Sequence, residues 1–94
     1  MRRKHLDELI SSLIAIHNPG EMEAFLRGLL TPGELEEIPK RLEIIKLLKK
    51  GVPQHEIAQK LHVGVATVTR GSQELKRGQF QKTSWWNSLS QVGG

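Results

Sequence analysis

The sequence predicts an all-α fold of about six helices that carries a helix-turn-helix, and three observations predict it. Apolar residues recur at helical spacing along most of the 94 residues, with no strand-like alternation. Proline, glycine, asparagine and threonine interrupt those stretches at positions suited to starting and stopping helices. Residues 54–77, within QHEIAQKLHVGVATVTRGSQELKRG, read as a helix, a tight turn and a second helix. The chain, 1–94, is expected to form a single domain, and a chain this short buries a modest share of its surface. Homodimerisation is therefore expected to complete the core.

The first helix is expected from Arg3 to about His17, with Leu6, Leu9, Ile10, Leu13, Ile14 and Ile16 as a wide apolar stripe. Asn18-Pro19 ends it and opens the next, with Asn18 as cap and Pro19 in the first turn. Met22, Phe25, Leu26 and Leu29 mark a short second helix. Thr31-Pro32-Gly33-Glu34 is a capping box that starts a third, running to about Lys50 with Leu35, Ile38, Leu42, Ile45 and Leu48 apolar. Pro39 is expected to kink that helix or divide it near Ile38, and Gly51 to end it. After Gly78, Thr83 or Ser84 caps a last short helix bearing Trp85, Trp86, Leu89 and Val92, with Val92-Gly93-Gly94 frayed.

In the helix-turn-helix, Ile57, Ala58 and Leu61 form the apolar face of the first helix, and small Ala58 admits a close crossing. The turn is Leu61-His62-Val63-Gly64, with His62 expected at positive φ, a conformation histidine tolerates better than most side chains. Val65, Val68 and Leu75 are the apolar members of the second helix. A helix-turn-helix lays its second helix in the major groove. The DNA-facing candidates are Gln54, His55, Gly64, Val65, Ala66, Thr67, Thr69, Arg70 and Lys76. Gln54 and Lys76 suit phosphates, and Val65, Ala66 and Thr67, at the helix start, suit base edges.

Charge supports a double-stranded DNA partner. Residues 1–39 carry four Lys/Arg and seven Asp/Glu, a balance of −3, whereas residues 40–77 carry nine and three, a balance of +6. The basic half holds the motif, as expected of a nucleic-acid binder. Other chemistry is absent. There is no cysteine, and the histidines at 5, 17, 55 and 62 have no i, i+4 ligand spacing, so no metal is expected. Ser72 and His62 lack a third group for nucleophilic catalysis, and no enzyme activity is expected. No apolar run approaches a membrane span, and the basic Met1-Arg2-Arg3-Lys4 start leads into a polar helix and not a signal core. The expected compartment is the cytoplasm.

Leu30-Thr31-Pro32, Arg41 ten residues beyond Thr31, and VATVTRGS from Val65 to Ser72 resemble the Trp repressor family over residues 29–78. The resemblance implies an interlocked all-helical homodimer and L-tryptophan as a candidate corepressor. Arg41 and Arg70 would sandwich the indole ring, a stacking that suits guanidinium planes. Thr31 and Arg70 would meet the ligand carboxylate, and backbone carbonyls of Gly28 and Leu30 of the partner subunit would receive the ammonium. Gly71 and Glu74 complete the implied site. The family has serine at the position of Glu74, and a positive residue often stands at that of Glu43. A carboxylate at Glu74 either accepts from the ligand ammonium or pairs with Arg70, one turn away, and fills the site itself. Two further readings stay open: a ligand-independent DNA-binding regulator of the same fold, and a protein-interaction module docking an acidic partner on the basic face.

Overall fold

A computed structural model of the chain describes residues 3–89. Among them are six α-helices, one 3-10 turn and no strand: α1 (Arg3–Ala15), α2 (Pro19–Leu29), α3 (Pro32–Lys49), α4 (Gln54–Leu61), α5 (Val65–Lys76), the 3-10 turn (Phe80–Lys82) and α6 (Ser84–Leu89). The chain divides into two compact units at Glu36/Glu37, inside α3. No described helix is long and apolar enough to cross a membrane.

Local hydrogen bonding defines the first unit. Asn18 Oδ1 accepts from the Glu21 N–H at 3.1 Å, with Pro19 just inside α2. Thr31 and Glu34 form the reciprocal capping box: Glu34 N–H donates to Thr31 Oγ1 at 3.1 Å, and Thr31 N–H to Glu34 Oε1 at 2.8 Å. The Thr31 backbone N–H foremost, and the Thr31 side chain after it, hold the Glu34 carboxyl below the usual glutamate range by hydrogen bonding to its charged form. α1 stops at Ala15, short of His17, where the Ile16 N–H turns back to the Leu13 carbonyl at 3.3 Å. None of the residues from Arg3 to Glu36 is buried. The apolar stripe expected to be core lies open in the single chain, with Ile14 67% and Leu29 52% exposed.

The second unit has its own core. Ile44, Leu47, Ile57, Ala58 and Val68 form one buried cluster, with Leu48, Val52, Leu61 and Val63 packed against it. Ile45 is fully buried as well. The expected α3 stripe is thus corrected. Ile38 and Leu42 are 42% and 44% exposed, and Ile44 and Leu47 are the core residues. Pro39 does not divide α3, which runs unbroken past it. The proline removes one N–H, the i+4 partner of the Leu35 carbonyl. It sits on an exposed stretch of helix where water can take that place.

Two helix ends in this unit share one geometry. At Gly51 (φ 85°) the Val52 N–H reaches the Leu47 carbonyl at 3.1 Å and the Gly51 N–H reaches that of Leu48 at 3.0 Å. This is a Schellman cap. At His62 the same pair of bonds recurs, Val63 to Ala58 at 3.0 Å and His62 to Gln59 at 3.4 Å. His62 is left-handed (φ 56°, ψ 46°), as expected, and is the one non-glycine residue with positive φ among those described. The corner of the helix-turn-helix is therefore a Schellman cap whose hydrophobic C″ residue, Val63, packs on the core. α5 then crosses α3 closely at buried Gly71, where an added Cβ would lie 2.9 Å from Ile44 Cγ2. Gly78 (φ 80°) follows α5. Thr83, and not Ser84, caps α6, its Oγ1 accepting from the Trp86 N–H at 3.2 Å. Val92, Gly93 and Gly94 lie outside the described residues.

Candidate DNA interface and ligand groove

The start of α5 is open to solvent. Gly64 is its N-cap and supplies no side-chain bond. The Thr67 and Val68 N–H groups both turn to the Gly64 carbonyl, at 3.0 and 3.4 Å. The N–H groups of Val65 and Ala66 are left facing outward at the positive end of the helix dipole, suited to a phosphate or to water on a base edge. Val65, an apolar member of the helix and one of the residues expected to approach bases, is 52% exposed. Ala66 and Thr67 are exposed beside it, and Val68 alone of this turn points into the core.

Two of the DNA-facing candidates bind each other. The Thr69 hydroxyl donates to Gln54 Oε1 at 2.8 Å in a half-buried bond. This ties the first turn of α4 to α5 and leaves the Gln54 amide NH2 as its outward donor. Thr69 thus acts through Gln54. His55 is exposed next to it, and Lys76 and Arg70 are exposed further along α5. Neither Lys76 nor Arg70 has an ion pair among the described residues. Glu43 is paired with Lys46 at 3.4 Å.

A groove of about 710 Å³ runs within the second unit. Arg41 lines it from α3, and Arg70, Gly71 and Glu74 line it from α5, together with Gly64 and Thr67. Four of the seven implied ligand residues are therefore brought together. Gly28, Leu30 and Thr31 belong to the first unit and are not among the lining residues. Thr31 is committed to the capping box through its N–H and its side-chain oxygen. Gly71 serves packing as well as the groove, since only a glycine allows the approach to Ile44. Glu74 does not pair with Arg70. Its Oε1 lies 3.2 Å from Arg77 Nη1, on the i+3 side. The Arg70-before-Glu74 orientation is the weaker one on a helix.

Sequence reasoning missed other walls of this groove: Glu37, Lys40, Ile44, Ile45, Val63 and Phe80. The Lys40-Arg41 pair was a visible signal of positive charge on one helix turn. Phe80 had none, because it lies beyond Gly78 in a turn whose direction the sequence does not dictate. Its ring meets that of Trp85, centroids 6.0 Å apart and tilted 52°. Trp86 stacks under the Lys49 ammonium at 4.1 Å, and the same ammonium donates to the Trp86 carbonyl. The two tryptophans, both half-buried, thus have partners within their own unit.

Comparison with known proteins agrees with this arrangement. The Trp repressor protein family matches residues 4–90. A Trp operon repressor homolog of Actinobacillus succinogenes is 44% identical over 73 residues, 77% of this chain and 72% of the relative. One of Mannheimia succiniciproducens is 44% identical over 70 residues, 73% and 69% of the two chains, and one of Pasteurella multocida is 47% identical over 58 residues, 61% and 57%. No solved structure matches the chain. A helix-turn-helix with a polar, exposed second helix, and a family match over nearly all of its length, lead to one identification: the chain belongs to the Trp repressor family and is a DNA-binding repressor of the Trp repressor type.

Proposed function

We propose that this repressor acts in the cytoplasm as a homodimer of a single-domain chain, and that L-tryptophan bound in the α3–α5 groove is its corepressor. The observation that carries the reading is the convergence of Arg41 and Arg70 on one groove, with Arg70 free of any ion pair among the described residues. A planar cation on each helix suits an aromatic ring bearing a carboxylate. Glu74, engaged only by an exposed arginine, is available to the ligand ammonium. Thr31, with Gly28 and Leu30 of the partner subunit, would supply the remaining contacts. On the DNA side, Gln54, His55 and Lys76 hold phosphates. Gly64, Val65, Ala66 and Thr67 approach the bases, Thr69 positions Gln54, and Arg70 lies between the two surfaces. A ligand on Arg70 and Gly71 therefore bears on the helix that reads DNA.

A DNA titration of wild type and Glu74→Ala, each with and without millimolar L-tryptophan, tests this. Wild type is expected to tighten on operator DNA when tryptophan is added, and Glu74→Ala to need more of it. Tight binding by wild type that tryptophan does not change would identify a ligand-independent repressor.

A further inference from the structure

We infer that Phe80 is a specificity-determining residue of the groove, an aromatic wall that favours ligands with a flat ring. The inference rests on the reading of that groove as an amino-acid site. The charged lining groups hold the ends of a zwitterion and offer two guanidinium planes to its ring, and an apolar wall beside them would add to the preference for that ring. Of the apolar lining, Ile44 and Ile45 are 2% and 0% exposed and offer only a closed floor, and half-buried Val63 is small and already packed against the core cluster. Phe80 is half-buried and is the one aromatic residue among those lining the groove.

The ring is held from several directions. Trp85 backs it at 6.0 Å between centroids. The Thr83 hydroxyl donates to the Phe80 carbonyl at 2.7 Å while accepting from the Trp86 N–H, which locks the 3-10 turn to α6. Gln81 Nε2 reaches the Leu75 carbonyl at 3.2 Å, tying the turn to the end of α5. Lys49 of α3 clamps Trp86. A side chain fixed in this way meets a ligand with little further loss of freedom. An aromatic ring presents its quadrupole as well as its area, and offset or tilted ring pairs gain from both.

Calorimetry with L-tryptophan on the full-length chain tests the assignment, using Phe80→Leu and Phe80→Met as non-aromatic variants and Phe80→Tyr as the conservative one. The ligand-free melting temperature of each reports its fold. Both non-aromatic variants are expected to bind tryptophan roughly 3- to 10-fold more weakly, and Phe80→Tyr is expected to restore most of the affinity. Two outcomes overturn the wall and leave the groove standing: wild-type affinity in the folded non-aromatic variants, or an equal loss in Phe80→Tyr. A wild-type protein that binds no tryptophan removes the groove reading and the wall with it.

Discussion

Residues 3–36 and residues 37–89 are built from similar helical material, and only the second region buries a core, although it too leaves Ile38, Leu42 and Val65 open. The second region folds on itself. Ile44, Ile57 and Val68 are at most 2% exposed, and two Schellman caps and a glycine crossing set the helices around them. The first region has well-formed caps and an apolar stripe, yet it buries nothing, and Leu9, Ile10, Ile14 and Leu29 stand between 37% and 67% exposed. The charge divides in nearly the same place, acidic before Lys40 and basic after it. Good caps and good periodicity make a helix without giving it a place to pack. Exposed apolar side chains at helical spacing suit an interaction site, and the second copy of the chain is the partner we propose for them.

The largest expected effects set the two regions against each other. Ile57→Ala should cost about 2–5 kcal/mol in urea unfolding, because it opens a cavity inside the unit that carries the motif. Ile14→Ala touches no core of its own chain. On an isolated monomer it should stay within about 0.5 kcal/mol. In the proposed dimer it should also cost about 2–5 kcal/mol, with a midpoint that depends on protein concentration. A concentration-independent, near-zero effect of Ile14→Ala would remove the contrast.

Within the second region, Thr67→Ala and Lys76→Ala should weaken DNA binding differently. Thr67 stands at the open start of α5, and its loss should relax discrimination by up to about 1–3 kcal/mol at one base pair. Lys76 should weaken all sequences alike and reduce the salt slope by about one. Equal losses on specific and random duplexes for Thr67→Ala would displace the reading end of the helix.

His62→Gly is a smaller test and works in the opposite direction. A left-handed residue costs an L-amino acid about 1–2 kcal/mol, and glycine gives back about 0.4–1 through its freer unfolded chain. A net gain of about 0.5 kcal/mol in the melting free energy is expected, with the corner unchanged. No gain would mean that the imidazole contributes something the backbone does not reveal.

The smallest effect belongs to the first region. Glu34 is held below its usual range by Thr31, so its contribution is complete above the ordinary glutamate value. It is lost as pH falls through the lowered folded one. Glu34→Gln should flatten that acid limb in a pH series of melts while changing neutral stability little. An unchanged acid limb would mean that the capping box is not formed in solution.

How legible each part was in the sequence follows from the range of the forces involved. Asn18, the Thr31–Glu34 box, Gly51, Gly78 and the positive φ at His62 are local features, and each appears where its residues predict. Pro39 does not divide α3, because the loss of one hydrogen bond is outweighed by the rest of the helix that spans it. Ile45 and Leu48 of the expected α3 stripe pack inward, but its second half is apolar on several sides, and only the packing of α4 and α5 selects Ile44 and Leu47 over Ile38 and Leu42. Glu74 pairs with Arg77 and not with Arg70, in line with the weaker Arg-before-Glu orientation of the latter pair. Phe80 depended on how the chain turns after Gly78. Arg41, Arg70, Gly71 and Glu74 line one groove within the second unit.

The most direct test of the contrast between the two regions is sedimentation equilibrium of the wild-type chain at micromolar concentration. If a second copy covers the open stripe of α1 and α2, the mass found should be twice the 10.6 kDa of the chain. A stable, folded monomer at that concentration would contradict the account.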